Sequence, residues 1–93
     1  MPNAARLGDM TAGHGFPPKP ILSGSGNVLI NGIPAARVGD ATAVHCLGPV
    51  CHAGAVAAGS SNVLINGIPA ARVSDPDCCG DTIGNGSSNV IIG

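Results

Sequence analysis

Aromatic side chains are almost missing from this sequence. Phe16 is the single aromatic among 93 residues, and there is no Trp or Tyr. Aromatic rings supply the largest buried areas per residue, so their scarcity in so short a chain argues against a self-sufficient hydrophobic core. Charge is sparse as well: four basic and five acidic residues leave a formal net charge of −1. The four cations, Arg6, Lys19, Arg37 and Arg72, are scattered. Nucleic-acid binding needs a clustered basic footprint and is set aside. Long apolar runs are absent too, and nothing approaches the roughly 18 residues of a spanning helix. The amino-terminal MPNAARLGDM has no apolar stretch of signal-peptide length. The expectation is a protein made in the cytoplasm as one domain over residues 1–93.

What is present is glycine (15), proline (8), four cysteines and three histidines. Apolar residues fall in ordered runs, which argues against disorder. A chain this poor in large side chains needs a staple: a disulfide, a metal or a partner subunit. In a reducing cytosol, cysteines beside histidines favour a metal.

The chain repeats itself. SGNVLINGIPAARVGD at Ser25 to Asp40 returns as SSNVLINGIPAARVSD at Ser60 to Asp75. ARLGD, ARVGD and ARVSD, ending at Asp9, Asp40 and Asp75, form one series of three. SGNVLI, SSNVLI and SSNVII, starting at Ser25, Ser60 and Ser87, form another. A circularly offset threefold repeat accounts for both. Units this small cannot bury an apolar face alone and must share a core. NVLI is β-rich, and Asn31-Gly32 and Asn66-Gly67 are type I′ turn signals. Pro34 and Pro69 confine the following IPAARV to a sheet edge or a chain reversal. Gly, Pro and β-branched density disfavour helix throughout. The fold class expected is all-β: a small, loop-rich cone of three hairpins related by pseudo-threefold symmetry.

His14 follows Asp9 by five residues, His45 follows Asp40 by five, and Cys79 follows Asp75 by four. Threefold symmetry brings these three equivalent positions towards one axis, and His52 supplies a fourth donor. Three imidazoles and a thiolate suit zinc, bound tetrahedrally at roughly 2.0–2.3 Å. Four protein ligands leave no open position, so the ion is structural and its binding energy becomes folding energy. Iron fits the same ligand set. Cys46 and Cys51 flank His45 and His52 and read either as alternative ligands or as a short-loop disulfide formed after export. Cys78 competes with Cys79, and on extended chain only one of the two faces the metal. Arg6/Asp9, Arg37/Asp40 and Arg72/Asp75 read as pairs bracing the turns that deliver the ligands, or as solvated turn residues.

ProAlaAlaArg at Pro34 to Arg37 and Pro69 to Arg72, inside NGIPAARVGD and NGIPAARVSD, together with His14, His45, His52 and Cys79-Gly80, resembles the PAAR-repeat family over the whole chain. The resemblance implies a small β cone capping and sharpening the trimeric VgrG spike of a bacterial type VI secretion system. It also implies zinc near the tip on His14, His45, His52 and Cys79. The first unit departs from the pattern, with ProAsnAlaAlaArg at Pro2 to Arg6, and the last strand runs into Gly93 without a tetrapeptide. No fused effector is expected.

The docking base for the trimer is expected on the repeated aliphatic strands: Val28, Leu29, Ile30, Val63, Leu64, Ile65, Val90, Ile91 and Ile92. The cap is expected to ride the spike out of the cell, touch the target membrane transiently, and carry effectors or adaptors. The tip of a phage-like contractile tail is the nearest alternative. An enzyme would use the zinc with Asp77 or Asp81 as general base, and a redox or metal protein would use Cys46, Cys51, Cys78 and Cys79. Thiol titration separates the last from the tip model.

Overall fold

Two short hairpins repeat the same geometry. In a computed structural model, β1 (Leu29–Ile30) pairs antiparallel with β2 (Ile33–Pro34), and β5 (Leu64–Ile65) pairs with β6 (Ile68–Pro69) in the same register. Asn31 and Gly32 have φ of 55° and 75°, and Asn66 and Gly67 have 56° and 76°. Both central residues are thus left-handed, as a type I′ turn requires and Asn-Gly tolerates. The structure describes residues 2–13, 18–78 and 80–93, with backbone only for His45, Leu47 and His52.

The third wall is not a hairpin. Asn3 bridges Ile91 antiparallel, Ala4 N–H donates to Val90 O at 2.9 Å, and Ile92 N–H donates to Pro2 O at 2.9 Å. These bonds match Ala35 N–H to Val28 O and Ala70 N–H to Val63 O, both 3.0 Å, in the continuous hairpins. The two chain ends therefore supply the halves that Asn31-Gly32 and Asn66-Gly67 join elsewhere. ProAsnAlaAlaArg and SerSerAsnValIleIle, each a fragment of the repeat, complete one another.

Beyond β2 and β6 the chain crosses to its neighbours. Ala36 N–H donates to Ala5 O, Ala71 N–H to Ala36 O, and Ala5 N–H to Ala71 O, each at 3.0 Å. This closed ring of three hydrogen bonds encircles the pseudo-threefold axis. Six alanines are fully buried around it: Ala4, Ala35 and Ala70 pack with Ile30, Ile65 and Ile92, while Ala5, Ala36 and Ala71 pack with Ile21, Val56 and Ile83. Anything larger than a methyl group at the ring would separate the backbones that bond across it. The aliphatic residues above and below supply about 1.5–3 kcal/mol each.

Glycine makes the same approach at three related positions. A Cβ on Gly24, Gly59 or Gly86 would lie 2.9, 2.5 or 2.4 Å from the carbonyl oxygen of Ala35, Ala70 or Ala4. The adjacent serines explain the rest of the repeated motif. Ser25, Ser60 and Ser87 are buried, and their Oγ atoms accept the N–H of Val28, Val63 and Val90 at 2.9 Å. The Ser25 hydroxyl donates to Asn66 Oδ1 and that of Ser87 to Asn31 Oδ1, both 2.6 Å, while Ser60 donates to the Gly93 carbonyl. Ser25 and Ser87 thus tie their strands to a neighbour's turn, and Ser60 ties its strand to the carboxy-terminal residue.

The longest strands were not foreseen as such. β3 (Ala41–Leu47) and β4 (Val50–Ala55) form an antiparallel hairpin from the segment between the second and third units, with an irregularity between Thr42 and His45. No helix occurs among the described residues, and none is long and apolar enough to cross a membrane. The molecule measures 37 × 24 × 22 Å, elongated along one direction. The all-β class holds: two continuous hairpins and one split wall make the threefold part, and β3–β4 adds a third hairpin.

Candidate functional site

One end of the axis carries the hairpin turns. The expected docking strands divide there into two sets. Ile30, Ile65 and Ile92 are buried, with Val28 and Val90 packed against them. Leu29, Leu64 and Ile91 turn outward, 58%, 60% and 55% exposed, and Val63 is partly exposed. Alternation along an extended strand is the cause: adjacent side chains point to opposite faces. Threefold-equivalent Leu29, Leu64 and Ile91 are thus the apolar residues this end offers a partner, and the buried isoleucines support them from within.

The middle of the cone is braced by three arginines. Asp9 Oδ2 accepts from the backbone N–H and the Nε of Arg6 at 2.7 and 3.0 Å, and Oδ1 accepts from Nη2 at 3.0 Å. Arg37–Asp40 and Arg72–Asp75 repeat the arrangement, with Nη2 to Oδ1 at 3.0 and 2.8 Å. Each pair closes a turn in which the aspartate N–H returns to the arginine carbonyl at 3.0–3.1 Å. The hydrogen bonds to Asp9, Asp40 and Asp75 raise the pKa of Arg6, Arg37 and Arg72 against the opposing effect of burial. The raised pKa keeps the three guanidinium groups charged up to strongly alkaline pH, where their contribution to stability would be lost. The pairs are braces rather than solvated turn residues.

The far end carries β3 and β4, on which His45 and His52 stand. His14 and Cys79 lie outside the described residues, as do the side chains of His45 and His52. Among the described residues no group of three His, Cys, Asp or Glu side chains could hold a metal. The backbone of β3–β4 sets His45 directly opposite His52. The segments flanking the ligand positions are tied together. Gly13 N–H donates to Asp81 Oδ1 at 2.8 Å, Ala12 N–H to Thr82 O at 2.7 Å, and Cys78 N–H to Ala55 O at 3.0 Å.

Three of the four cysteines are now accounted for. Cys46 and Cys51, cross-strand neighbours with Cα atoms 4.1 Å apart, form a disulfide. Neither is therefore a thiolate ligand, and a site built from all four cysteines loses half its donors. Cys78 is an exposed free thiol whose Sγ accepts the Ala55 N–H at 3.3 Å. That contact turns it towards β4.

A buried polar cluster beneath this end was not legible in the sequence. Lys19 and Asp77 form an ion pair at 3.5 Å with both side chains 1% exposed. Thr42 Oγ1 donates to Asp77 Oδ2 at 2.6 Å. Asp81 is equally buried, and its Oδ1 accepts from Gly13 and Thr82 N–H at 2.8 Å. The one available signal was positional: Thr11, Thr42 and Asp77 each stand two residues after a repeated aspartate. Nothing local marks Lys19. Both carboxylates are thus buried and engaged within the protein.

No curated protein sequence matches the chain. The family model for the PAAR motif matches twice, over residues 2–48 and 48–93, so that the two matches run from one end of the chain to the other. Repeated tetrapeptide, threefold ring and matched model agree, and the chain belongs to the PAAR-motif family of structural spike-tip proteins.

Proposed function

We propose that this protein caps the trimeric VgrG spike of a contractile type VI secretion system, sharpening it for passage through a target membrane and for effector delivery. The observation that carries the reading is the pseudo-threefold placement of exposed Leu29, Leu64 and Ile91 at one end of the axis. A trimer presents three copies of one surface, and a single chain meets all three only if it repeats its own contact three times. Three outward aliphatic residues backed by packed isoleucines supply an apolar patch of that symmetry. The role is mechanical, without catalysis.

At the other end, His14, His45, His52 and Cys79 would hold zinc. The donor set fits: three imidazoles and one thiolate match a borderline-soft ion, and the four positions fill a closed tetrahedral site. Iron is the second candidate. The support in the fold is the opposition of His45 and His52 across β3–β4 and the bond from Gly13 to Asp81, which draws the neighbours of His14 and Cys79 to one place. When bound, the ion cross-links chain segments distant in sequence where few side chains pack. The Cys46–Cys51 disulfide supports export from a cytoplasmic site of synthesis into an oxidising space.

Binding to a recombinant trimeric spike fragment tests the cap. Leu29→Asp/Leu64→Asp should remain folded and lose at least tenfold in affinity. Unchanged affinity in that folded variant would remove the docking surface. The buried Ile30 and Ile65 are unsuitable for this test, since an aspartate there would unfold the base.

A further inference from the structure

We propose that Asp77 and Asp81, the two carboxylates flanking Cys79, clamp the three apical chain segments in place before any ion is bound. What they position rests on the metal reading above; the clamp itself does not.

Each of the three segments follows one of the repeated aspartates: residues 11–13 and Lys19 follow Asp9, β3 follows Asp40, and residues 77–81 follow Asp75. Asp77 reaches two of these at once, accepting the Thr42 hydroxyl at 2.6 Å and pairing with Lys19 at 3.5 Å. Asp81 takes the Gly13 N–H at 2.8 Å. The third unit thus grips the residue before His14 and the strand that carries His45, from both sides of Cys79.

The cluster also breaks the threefold symmetry with a purpose. Two units place a hydroxyl, Thr11 or Thr42, where the third places the Asp77 carboxylate. Gly54, at the foot of β4, has no side chain where one would collide: a Cβ there would lie 2.4 Å from Asp77 Oδ1. Taking a lysine and two carboxylates out of water is costly, and apolar packing of similar volume is often at least as stable. Stability alone therefore does not account for the charges. Directional bonds from one unit to the other two fix geometry, which apolar contacts do not.

The test uses the full chain, stripped of metal and then titrated with zinc against a chromophoric chelator. In the metal-free wild type the Gly13 amide should exchange slowly with solvent, and in Asp81→Ala rapidly. Folded Asp81→Ala should bind zinc at least tenfold more weakly. Asp81→Asn, which keeps an oxygen acceptor for Gly13, should recover most of the loss. Lys19→Met/Asp77→Leu separates positioning from stability: its metal-free melting temperature should equal or exceed the wild type, with zinc affinity still reduced. Wild-type zinc affinity in folded Asp81→Ala, or fast Gly13 exchange in the metal-free wild type, would overturn the clamp. If the wild type binds no zinc, the metal reading falls and Gly13 protection alone decides the clamp.

Discussion

Asn3 lies opposite Ile91 in an antiparallel bridge, so the two ends of the chain meet to build one wall of a threefold cone. The same wall elsewhere is a continuous hairpin pairing Leu29 with Pro34 or Leu64 with Pro69. Asn3 thus occupies the position of a proline, and its Nδ2 donates to the Ser87 carbonyl.

Equivalence of the three walls predicts equivalent energetics. Ile30→Ala, Ile65→Ala and Ile92→Ala should each cost about 2–5 kcal/mol by denaturant unfolding. Ile92→Ala should fall within the range of the other two. A cost below about 1 kcal/mol at Ile92 alone would mean that the terminal wall is frayed in solution.

The Arg-Asp turns contain one conformational misfit. Gly8 and Gly39 have φ of 87° and 89°, and the equivalent Ser74 has 78°. A side chain there is strained by about 1–2 kcal/mol, partly offset by the lower flexibility of serine in the unfolded chain. Ser74→Gly should raise stability by about 1 kcal/mol, read as a shift in the denaturation midpoint. Gly39→Ser should lower it by a similar amount.

Close approach of backbones predicts the reverse at Gly59. A Cβ placed 2.5 Å from the Ala70 carbonyl oxygen must push two backbones apart. Gly59→Ala should cost about 1–3 kcal/mol, whereas Gly26→Ala, with open space around it, should be nearly neutral. Thermal unfolding of the two variants side by side separates them.

Thiol chemistry reports the site and the disulfide together. Denatured, metal-free, oxidised protein should titrate two thiols, those of Cys78 and Cys79, and all four after reduction. In the native zinc-loaded protein only Cys78 should react. Chelation should expose the second thiol and lower the melting temperature, and His14→Ala/His45→Ala should start from that lower value. An unchanged melting temperature on metal removal would make the ion incidental to the fold.

The patterns legible in the sequence were those written within a few residues. Asn31-Gly32 and Asn66-Gly67 specify their turns because only such residues take positive φ at both positions cheaply. ArgXaaXaaAsp specifies a brace because donor and acceptor are three residues apart on one turn. The threefold count followed from repetition, the all-β class from the turn signals and the density of Gly, Pro and β-branched residues, and the family from the resemblance carried by the two ProAlaAlaArg tetrapeptides.

Other features were decided only by how distant segments met. Cys46 and Cys51 read equally well as ligands or as a disulfide until β3 and β4 fell into a register that sets them opposite one another. The aliphatic strands read as one docking surface until alternation sent Leu29, Leu64 and Ile91 outward and Ile30, Ile65 and Ile92 inward. Lys19 read only as one of four scattered cations, yet it is buried against Asp77, which lies 58 residues later in the chain. Sequence alone determined the turns and braces of each unit, because their partners are near neighbours along the chain. The tertiary structure decided which charges go inside and how the third wall closes, because those depend on partners that only folding brings together.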